Sequence, residues 1–378
     1  MDLSNIREKL DAIDTKITDL LVERMNTVAQ VADAKKQTGK AIRDHARERS
    51  IINRITLQSG DEFAPYIKSL YQTLFNLSCN YQSQKMGYES ALSARIREQL
   101  SAPSARTLPN RAVVACQGTE GAYAQQACEK LFEYPTILYF SSFNDVFNAV
   151  EKGMCQYGIL PLENSTAGSV TQVYDLMEQH AFHIVGACRL RIDHCLLRKK
   201  GAKGPITRVV SHEQALRQCS DYLEAHPLYQ AEAMKNTAVA AEYVANCEAN
   251  DVAVIASAVC ADIYGLEIAE ENISNVQNNF TRFICISREL KVYPNARKVS
   301  IMFNLPHAPG ALNNIISRLA LAGVNLTKLE SRPIPGREFE FRFFFDFEAD
   351  LHDPAIVDLI SELEKRTEHF VFLGAYSE

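Results

Sequence analysis

No stretch of this 378-residue chain approaches the roughly 20 consecutive apolar residues that a membrane-spanning helix needs, so no membrane is expected. The N-terminus lacks the apolar core of a secretory signal, because its first apolar positions are interleaved with charges. Nor is there a basic run, and the net charge is −6, which leaves little to neutralise a nucleic-acid backbone. The ten cysteines contain no CxxC pair and no grouping with histidines at ligand spacing, so no metal is expected. Without a secretory signal they read as reduced, mostly buried thiols, which points to the cytoplasm. Tryptophan is absent, which decides nothing, and no long repeat or low-complexity tract appears. What remains is an ordinary globular composition, 47% hydrophobic and 23% charged, long enough for two to four domains.

The most informative absence is local. Residues 1–38 contain neither glycine nor proline, and Ile6, Leu10, Ile13, Ile17, Leu20, Leu21, Val28 and Val31 recur at steps of three and four. That spacing predicts one long helix packed along its length against other helices. Arg24 and Lys35 project from the middle of this stripe, about 20° apart at roughly 100° per residue. Two unpaired cations in a helix core would cost several kcal/mol, so an anion is expected between them. They stand roughly 16 Å apart along the axis, a gap two long side chains close onto one small anion. The competing reading is a pair of side chains snorkelling at a frayed bundle edge.

Three segments follow from the pattern. Residues 1–98 read as all-helical: the long helix, a second from Ile42 to Ile55 after Gly39, and a third from Phe63 with Pro65 in its first turn, running towards Leu92 with Gly87 as a weak point. Helices of such unequal length cannot bury their faces in a small monomer, so a homodimer or higher oligomer is expected. Residues 99–110 read as a linker. From 111 to 290, strand candidates (112–116, 137–140, 157–160, 208–210, 252–255 and 282–286) alternate with helical patterns, which predicts two α/β lobes with largely parallel sheets. Residues 297–378 read as βαββαβ, a ferredoxin-like α+β domain: strand 299–305, helix 310–322, strands 324–331 and 339–347, helix 354–365, strand 370–374.

The helical segment also offers Arg7, Asp44, Arg47, Glu48, Ser78 and Gln82, the last two on one helix face. Arg7 lies roughly 25 Å from Arg24 along the axis, too far for one small ligand to touch both on one straight helix. At these spacings REKLDAIDTKITDLLVERM, AKK and AIRDHARERS resemble the AroQ-type chorismate mutase family. The resemblance implies a pericyclic rearrangement of chorismate to prephenate, achieved by holding one conformer and stabilising charge at the breaking ether bond. It implies that Arg24 and Arg47 of one chain and Arg7 of the other clamp the two carboxylates. Lys35 and Gln82 would serve the ether oxygen, Asp44 and Glu48 the ring hydroxyl, and Ser78 a carboxylate.

In the middle segment GTEGAY (118–123) follows a strand and opens a helix, where N–H groups receive anions, but it is not a dinucleotide fingerprint. PLENSTAG (161–168) follows another strand, with residues that commonly cap helices. With HIVGACRLRIDHCLL, SHEQAL, NTAVAA and NFTRF (279–283), in this order, these resemble the prephenate dehydratase family. That resemblance implies loss of water and CO2 from prephenate to give phenylpyruvate, with a key role for Thr281. A threonine hydroxyl is a poor acid alone, so it is expected to act within a polarised network. Asn164, Ser165 and Thr166 are expected to contact substrate carboxylates, while Arg282 reads as structural or substrate-binding. His194 and His212 are isolated, and isolated histidines are more often structural.

In the last segment PGALNNI opens a helix after a strand and ESRPI closes the next, a pairing that resembles the ACT regulatory domains of prephenate dehydratases. The resemblance implies a phenylalanine site made of Gly310, Ala311, Leu312, Glu330, Ser331, Arg332 and Pro333, and inhibition by reciprocal coupling. The whole chain resembles bifunctional chorismate mutase–prephenate dehydratases, which implies no metal and no cofactor. The alternative is a two-lobed amino-acid-binding protein with a sensor domain. A transcriptional regulator would need a basic recognition helix, and none is found.

Overall fold

The computed structural model describes residues 2–86, 90–101 and 107–378. Gly87 and residues 102–106 of the expected linker lie outside the described residues. The chain forms two compact units: Met1–Arg95 with Pro309–Arg318 and Val357–Arg366, and Ile96–Ala308 with Leu319–Ile356 and Thr367–Glu378.

In the first unit α1 (Leu3–Thr38) matches the expected long helix, capped by Asp2, which accepts from the Ser4 N–H at 3.2 Å, and ending at Gly39. The second helical run, α2 (His45–Met86), starts three residues later than the pattern suggested, because Asp44 takes the cap and accepts from the Arg47 N–H at 3.0 Å. At Gly60, φ of 73° and ψ of 160° break the run, a conformation a side chain would resist, and Pro65 follows five residues after it, inside the helix. A further helix, α3 (Ala91–Ser101), carries helical structure into the expected linker. Within one chain the stripe of α1 is only partly covered. Leu10 (53%), Ile17 (56%) and Leu20 (64%) are exposed, and Ala32 near the other end is the buried residue of the helix. The helices of one chain supply too little apolar surface to cover α1's early turns.

The second unit holds three sheets. The first lobe runs β1 (Arg111–Gln117), α4 (Tyr123–Leu131), β2 (Tyr134–Phe140), α5 (Phe143–Glu151), β3 (Tyr157–Asn164), β4 (Gly168–Ser169), α6 (Thr171–Met177) and β5 (His183–Arg191). The second lobe runs β6 (Cys195–Lys199), β7 (Arg208–His212), α7 (Glu213–Gln218), α8 (Ser220–Ala225), β8 (Gln230–Met234), α9 (Thr237–Asn246), β9 (Val252–Ala256), α10 (Val259–Tyr264) and β10 (Leu266–Glu270). The chain then returns to the first lobe as β11 (Phe280–Ser287).

The sheets are mixed rather than largely parallel. β1 pairs parallel with β2 and β3, but β11 pairs antiparallel with both β3 and β5. In the second lobe β7 is parallel to β8 and β9, whereas β6 is antiparallel to β9 and β10. The cause is topological. β11 re-enters from the other lobe instead of through a helical crossover, which would have forced it parallel.

The C-terminal elements follow the expected order: β12 (Lys298–Asn304), α11 (Ala311–Leu321), β13 (Asn325–Pro333), β14 (Phe341–Glu348), α12 (Pro354–Arg366) and β15 (Glu368–Tyr376). Their sheet, β13-β14-β12-β15, is antiparallel throughout. It shares one core with the first lobe, where Leu160, Ile284 and Tyr174 pack with Met302, Phe344 and Tyr376. Gly374 permits this approach: at φ 153°, a Cβ there would sit 2.0 Å from the Ile184 carbonyl oxygen. Among the described residues no helix is long and apolar enough to cross a membrane.

Candidate active sites

In the first unit Arg24 reaches from α1 to α2, donating to the Ser78 hydroxyl and, at 3.4 Å, to the Leu74 carbonyl. Lys35 donates to the Ile42 carbonyl. These acceptors are neutral oxygens, so neither charge is compensated by the groups it touches. One helical turn beyond Ser78, Gln82 is buried; its Nε2 donates to the Ser78 carbonyl at 3.2 Å, and its Oε1 has no partner among the described residues. A buried amide oxygen without a partner costs about 1–3 kcal/mol, which a ligand would relieve. Arg24 and Lys35 are thus half-buried cations on neutral oxygens, and Gln82 is a buried, half-satisfied amide.

Glu48 is held by Arg43, whose Nε donates to both carboxylate oxygens at 3.2 Å, while Nη2 donates to Asn76 Oδ1 at 3.3 Å. Asp44 is exposed, with its carboxyl below the usual range because the Arg47 backbone N–H donates to it. The Arg47 side chain is exposed at this helix start, and Arg7 lies on the exposed early turns of α1. The structure therefore joins Arg24 to Ser78 and sets Gln82 beside them, while Arg7 and Arg47 make no such contact. Arg43 and Asn76 were missed; Arg43 lies one residue before the matched Asp44 and carries no distinguishing pattern.

In the second unit β3 and β11 are neighbours, and their register sets Thr281 opposite Asn164 and Arg282 opposite Glu163. Successive strand residues face opposite sides, so the two rungs serve different faces. On one face Asn164 Nδ2 donates to Thr281 Oγ1 at 2.9 Å and to Asn279 Oδ1 at 2.7 Å. Asn164 Oδ1 accepts from the Thr166 N–H at 3.0 Å, the Thr166 hydroxyl at 2.7 Å and the Ala167 N–H at 2.8 Å. Thr281 thus accepts from Asn164, which polarises its own O–H. Ser165 is engaged otherwise: it accepts from the Phe280 N–H at 2.9 Å and donates to the Asn278 carbonyl at 3.2 Å, so it pins the loop to β11.

The network crosses to the second lobe. Gln218, at the end of α7, donates through Nε2 to Thr166 Oγ1 at 3.2 Å, and its Oε1 accepts from His194 Nε2 at 2.9 Å. His194 is buried, edge-on to Tyr123, and burial holds its pKa below the usual histidine value, so the ring is neutral. His212 caps α7 by accepting from the Gln214 N–H at 3.2 Å, a structural role. Gln218 was missed because six-residue α7 gives no periodic signal, and Asn279 because nothing marks it within its Asn-rich loop.

On the opposite face Arg282 is buried. It donates to Asp346 Oδ2 at 2.6 Å, Tyr376 Oη at 2.6 Å and Glu163 Oε1 at 3.2 Å. The Arg282 guanidinium is thus taken up by groups of the protein itself. Burial opposes the charge of Glu163, but Lys328, at 2.8 Å, and Arg282 hold its carboxyl below the usual range. In β13 alternate residues Lys328, Glu330 and Arg332 are half-buried. Glu330 accepts from the Ser169 hydroxyl at 2.6 Å, and Arg332 grips Asp175 at 2.9 and 3.0 Å. Ser331 and Pro333 lie on the exposed face. In the first unit, Gly310, at φ 80°, turns the chain into α11 at Ala311 and Leu312.

Residues 6–83 match the family of type II chorismate mutases, and residues 114–291 match the prephenate dehydratases. A bifunctional chorismate mutase/prephenate dehydratase of Escherichia coli K12 is 32% identical over 98% of this chain and 95% of its own length. A solved prephenate dehydratase of Arthrobacter aurescens, in complex with L-Phe, superposes at a TM-score of 0.64 with 27% identity, covering 70% of this chain and 90% of that one. A structure described as a novel type of quorum quenching acylase superposes equally, at 0.64 with 31% identity, over 70% of this chain and 97% of that one. Backbone likeness spans different activities at this level, so the roles of individual residues rest on their geometry.

Proposed function

We infer how this chain divides its work from one premise: it belongs to the family of bifunctional chorismate mutase/prephenate dehydratases. It rearranges chorismate to prephenate, dehydrates and decarboxylates prephenate to phenylpyruvate, and is feedback-inhibited by L-phenylalanine. Membership displaces the alternative of an amino-acid-binding protein with a sensor domain.

For the mutase we assign the carboxylate clamp to Arg24, Arg47 and Ser78, with Arg7 supplied by a second chain. Lys35 and Gln82 stabilise charge at the breaking ether bond, and Asp44 and Glu48 hold the ring hydroxyl. The reading is supported by the neutral acceptors under Arg24 and Lys35 and by the unpaired Gln82 oxygen. The exposed apolar residues on α1's early turns support a homodimer, which would cover them and bring Arg7 to the partner's site.

For the dehydratase the carrying observation is the rung in which Thr281 accepts from Asn164 at 2.9 Å. The Thr281 hydroxyl passes its proton to the departing ring hydroxyl of prephenate, which leaves as water, while the ring carboxylate leaves as CO2 and its bonding electrons complete the aromatic ring; the Thr281 oxygen, held by the Asn164 N–H, regains a proton from water. Aromatisation drives the step, so a weak acid in a polarised network suffices. Asn164, Ser165 and Thr166 shape the neighbouring carboxylate contacts. Phenylalanine is assigned to the Gly310–Leu312 turn and Glu330–Pro333, on the precedent of the L-Phe complex. Ten cysteines without a disulfide fit a cytoplasmic protein.

Purified chain given chorismate, without added cofactor, should consume it and accumulate phenylpyruvate. Arg24→Ala should remove the first step alone and Thr281→Ala the second alone. Retention of both activities by either variant would overturn the corresponding assignment.

A further inference from the structure

The rung Glu163–Arg282 lies next to the rung Asn164–Thr281 on the same two strands. Adjacent residues on a strand share a peptide plane, so whatever fixes the depth and twist of one rung fixes the other. The partners fixing the Arg282 rung come from the C-terminal sheet. Asp346 (β14) accepts from Arg282 and, at 2.5 Å, from the Ser300 hydroxyl of β12. Tyr376 (β15) accepts from Arg282 and stands 2.7 Å from Ser300. Lys328 (β13) bridges Glu163 and Ser169 at 2.8 and 2.9 Å. Every strand of that sheet therefore contributes a polar group to this one cluster, and Glu378, beyond β15, adds a carboxylate 3.4 Å from Arg282 Nε.

Such a cluster is a costly way to hold two domains together, because apolar side chains of the same volume would pack as well without desolvating charge. Its distinguishing property is direction. Bidentate and branched guanidinium contacts fix orientation within a narrow range, which apolar packing does not. The proton-bearing Thr281 hydroxyl needs that precision, since a catalytic group displaced by about 1 Å can lose about 100-fold in rate.

We propose that Arg282 is a positioning residue: seated between Glu163 and the Asp346–Tyr376–Ser300 cluster, it sets the geometry of the Asn164–Thr281 pair from the opposite face of the strands. Lys328 extends this device towards the effector. It lies two residues before Glu330, on the same face of β13, and Glu330 holds Ser169, which pairs with Glu163 across β3 and β4. A ligand that shifts β13 at Glu330–Pro333 therefore shifts the partner of Glu163. This second half rests on the phenylalanine reading given above; the first half does not.

The test uses the full-length chain and follows phenylpyruvate formation from prephenate. Arg282→Lys keeps the charge but loses the fork; it should lower dehydratase kcat at least tenfold, change KM for prephenate less than threefold, and leave the mutase rate as a control for folding. A kcat within twofold of the parent overturns the positioning role. Should Arg282→Lys not fold, Asp346→Asn, which keeps the acceptor and removes its charge, carries the same criterion. Lys328→Gln should raise the residual dehydratase activity at saturating L-phenylalanine at least threefold; an unchanged residual activity overturns the coupling half. Calorimetry of L-phenylalanine with the parent chain separates the readings: no binding there removes the phenylalanine site and the coupling half with it, while the Arg282→Lys result stands on its own.

Discussion

Arg24 in the first unit and Arg282 in the second are both arginines inside an otherwise apolar sequence pattern, and they differ in what the protein gives each to bind. Arg282 is supplied with counter-charge by the protein: Asp346 at 2.6 Å and Glu163 at 3.2 Å. Arg24 is given a hydroxyl and a carbonyl. A cation whose charge is balanced internally has no affinity left for a carboxylate, whereas one resting on neutral dipoles retains it. Glu48 shows the same contrast within the first unit, since Arg43 already serves it through two contacts of 3.2 Å.

The contrast is sharpest in stability. Arg282→Met leaves Asp346 and Glu163 as uncompensated carboxylates in a buried site, and should cost the second unit about 3–5 kcal/mol. Arg24→Met removes no carboxylate partner and should cost far less. Urea unfolding followed by circular dichroism measures both. Equal losses would mean that Arg24 is structural too.

In activity the order reverses between units. Arg24→Ala should lower the mutase kcat/KM by about 10²–10³, the scale of losing a preorganised charge-stabilising donor, and leave the dehydratase intact. Thr281→Ala should lower dehydratase kcat on the same scale and leave the mutase intact. Steady-state rates on chorismate and on prephenate, taken separately, check both. A variant that slowed both reactions equally would erase the separation of the sites.

Arg43→Ala sharpens the comparison further. If Glu48 is held in place for the ring hydroxyl, removing its anchor should raise the mutase KM or lower its kcat by about tenfold, the lower end of the roughly 1.5–3 kcal/mol of one charge-assisted contact. A mutase unaffected by Arg43→Ala would mean that Glu48 needs no anchor from its own chain.

Much of this contrast was legible beforehand. The α1 pattern and the misplaced Arg24 and Lys35 were visible because a 3.6-residue period makes an exception conspicuous. The βαββαβ order was visible because its strands and helices are long and sharply punctuated. Arg282 was ambiguous, since strand alternation tells which residues share a face but not what lies opposite. Only the return of β11 beside β3, and the close approach at Gly374, brought Asp346 and Tyr376 against it. The same return made the sheets mixed, which local patterns cannot foresee. Gln218 and Asn279 escaped because a short helix and a loop have no period to violate. The stripe of α1 is exposed on its early turns in the single chain, as a pattern that asks for a second chain requires.

The smallest expected effect concerns the buried neutral group that both lobes share. Burial holds the His194 pKa below the ordinary histidine value of about 6.5, so between its folded and unfolded pKa values the unfolded chain binds the extra proton. The stability it contributes is therefore complete above pH 6.5 and is lost as pH falls from there through the folded value, by at most about 1.4 kcal/mol per pH unit. His194→Gln removes the titration and should flatten the stability profile below pH 6.5. Urea midpoints at pH 7.5 and 5.5, parent against variant, read that difference. If the parent and His194→Gln lost stability in parallel, His194 would have to be charged in the fold, and the hydrogen bond that orients Gln218 towards Thr166 would need a charged donor.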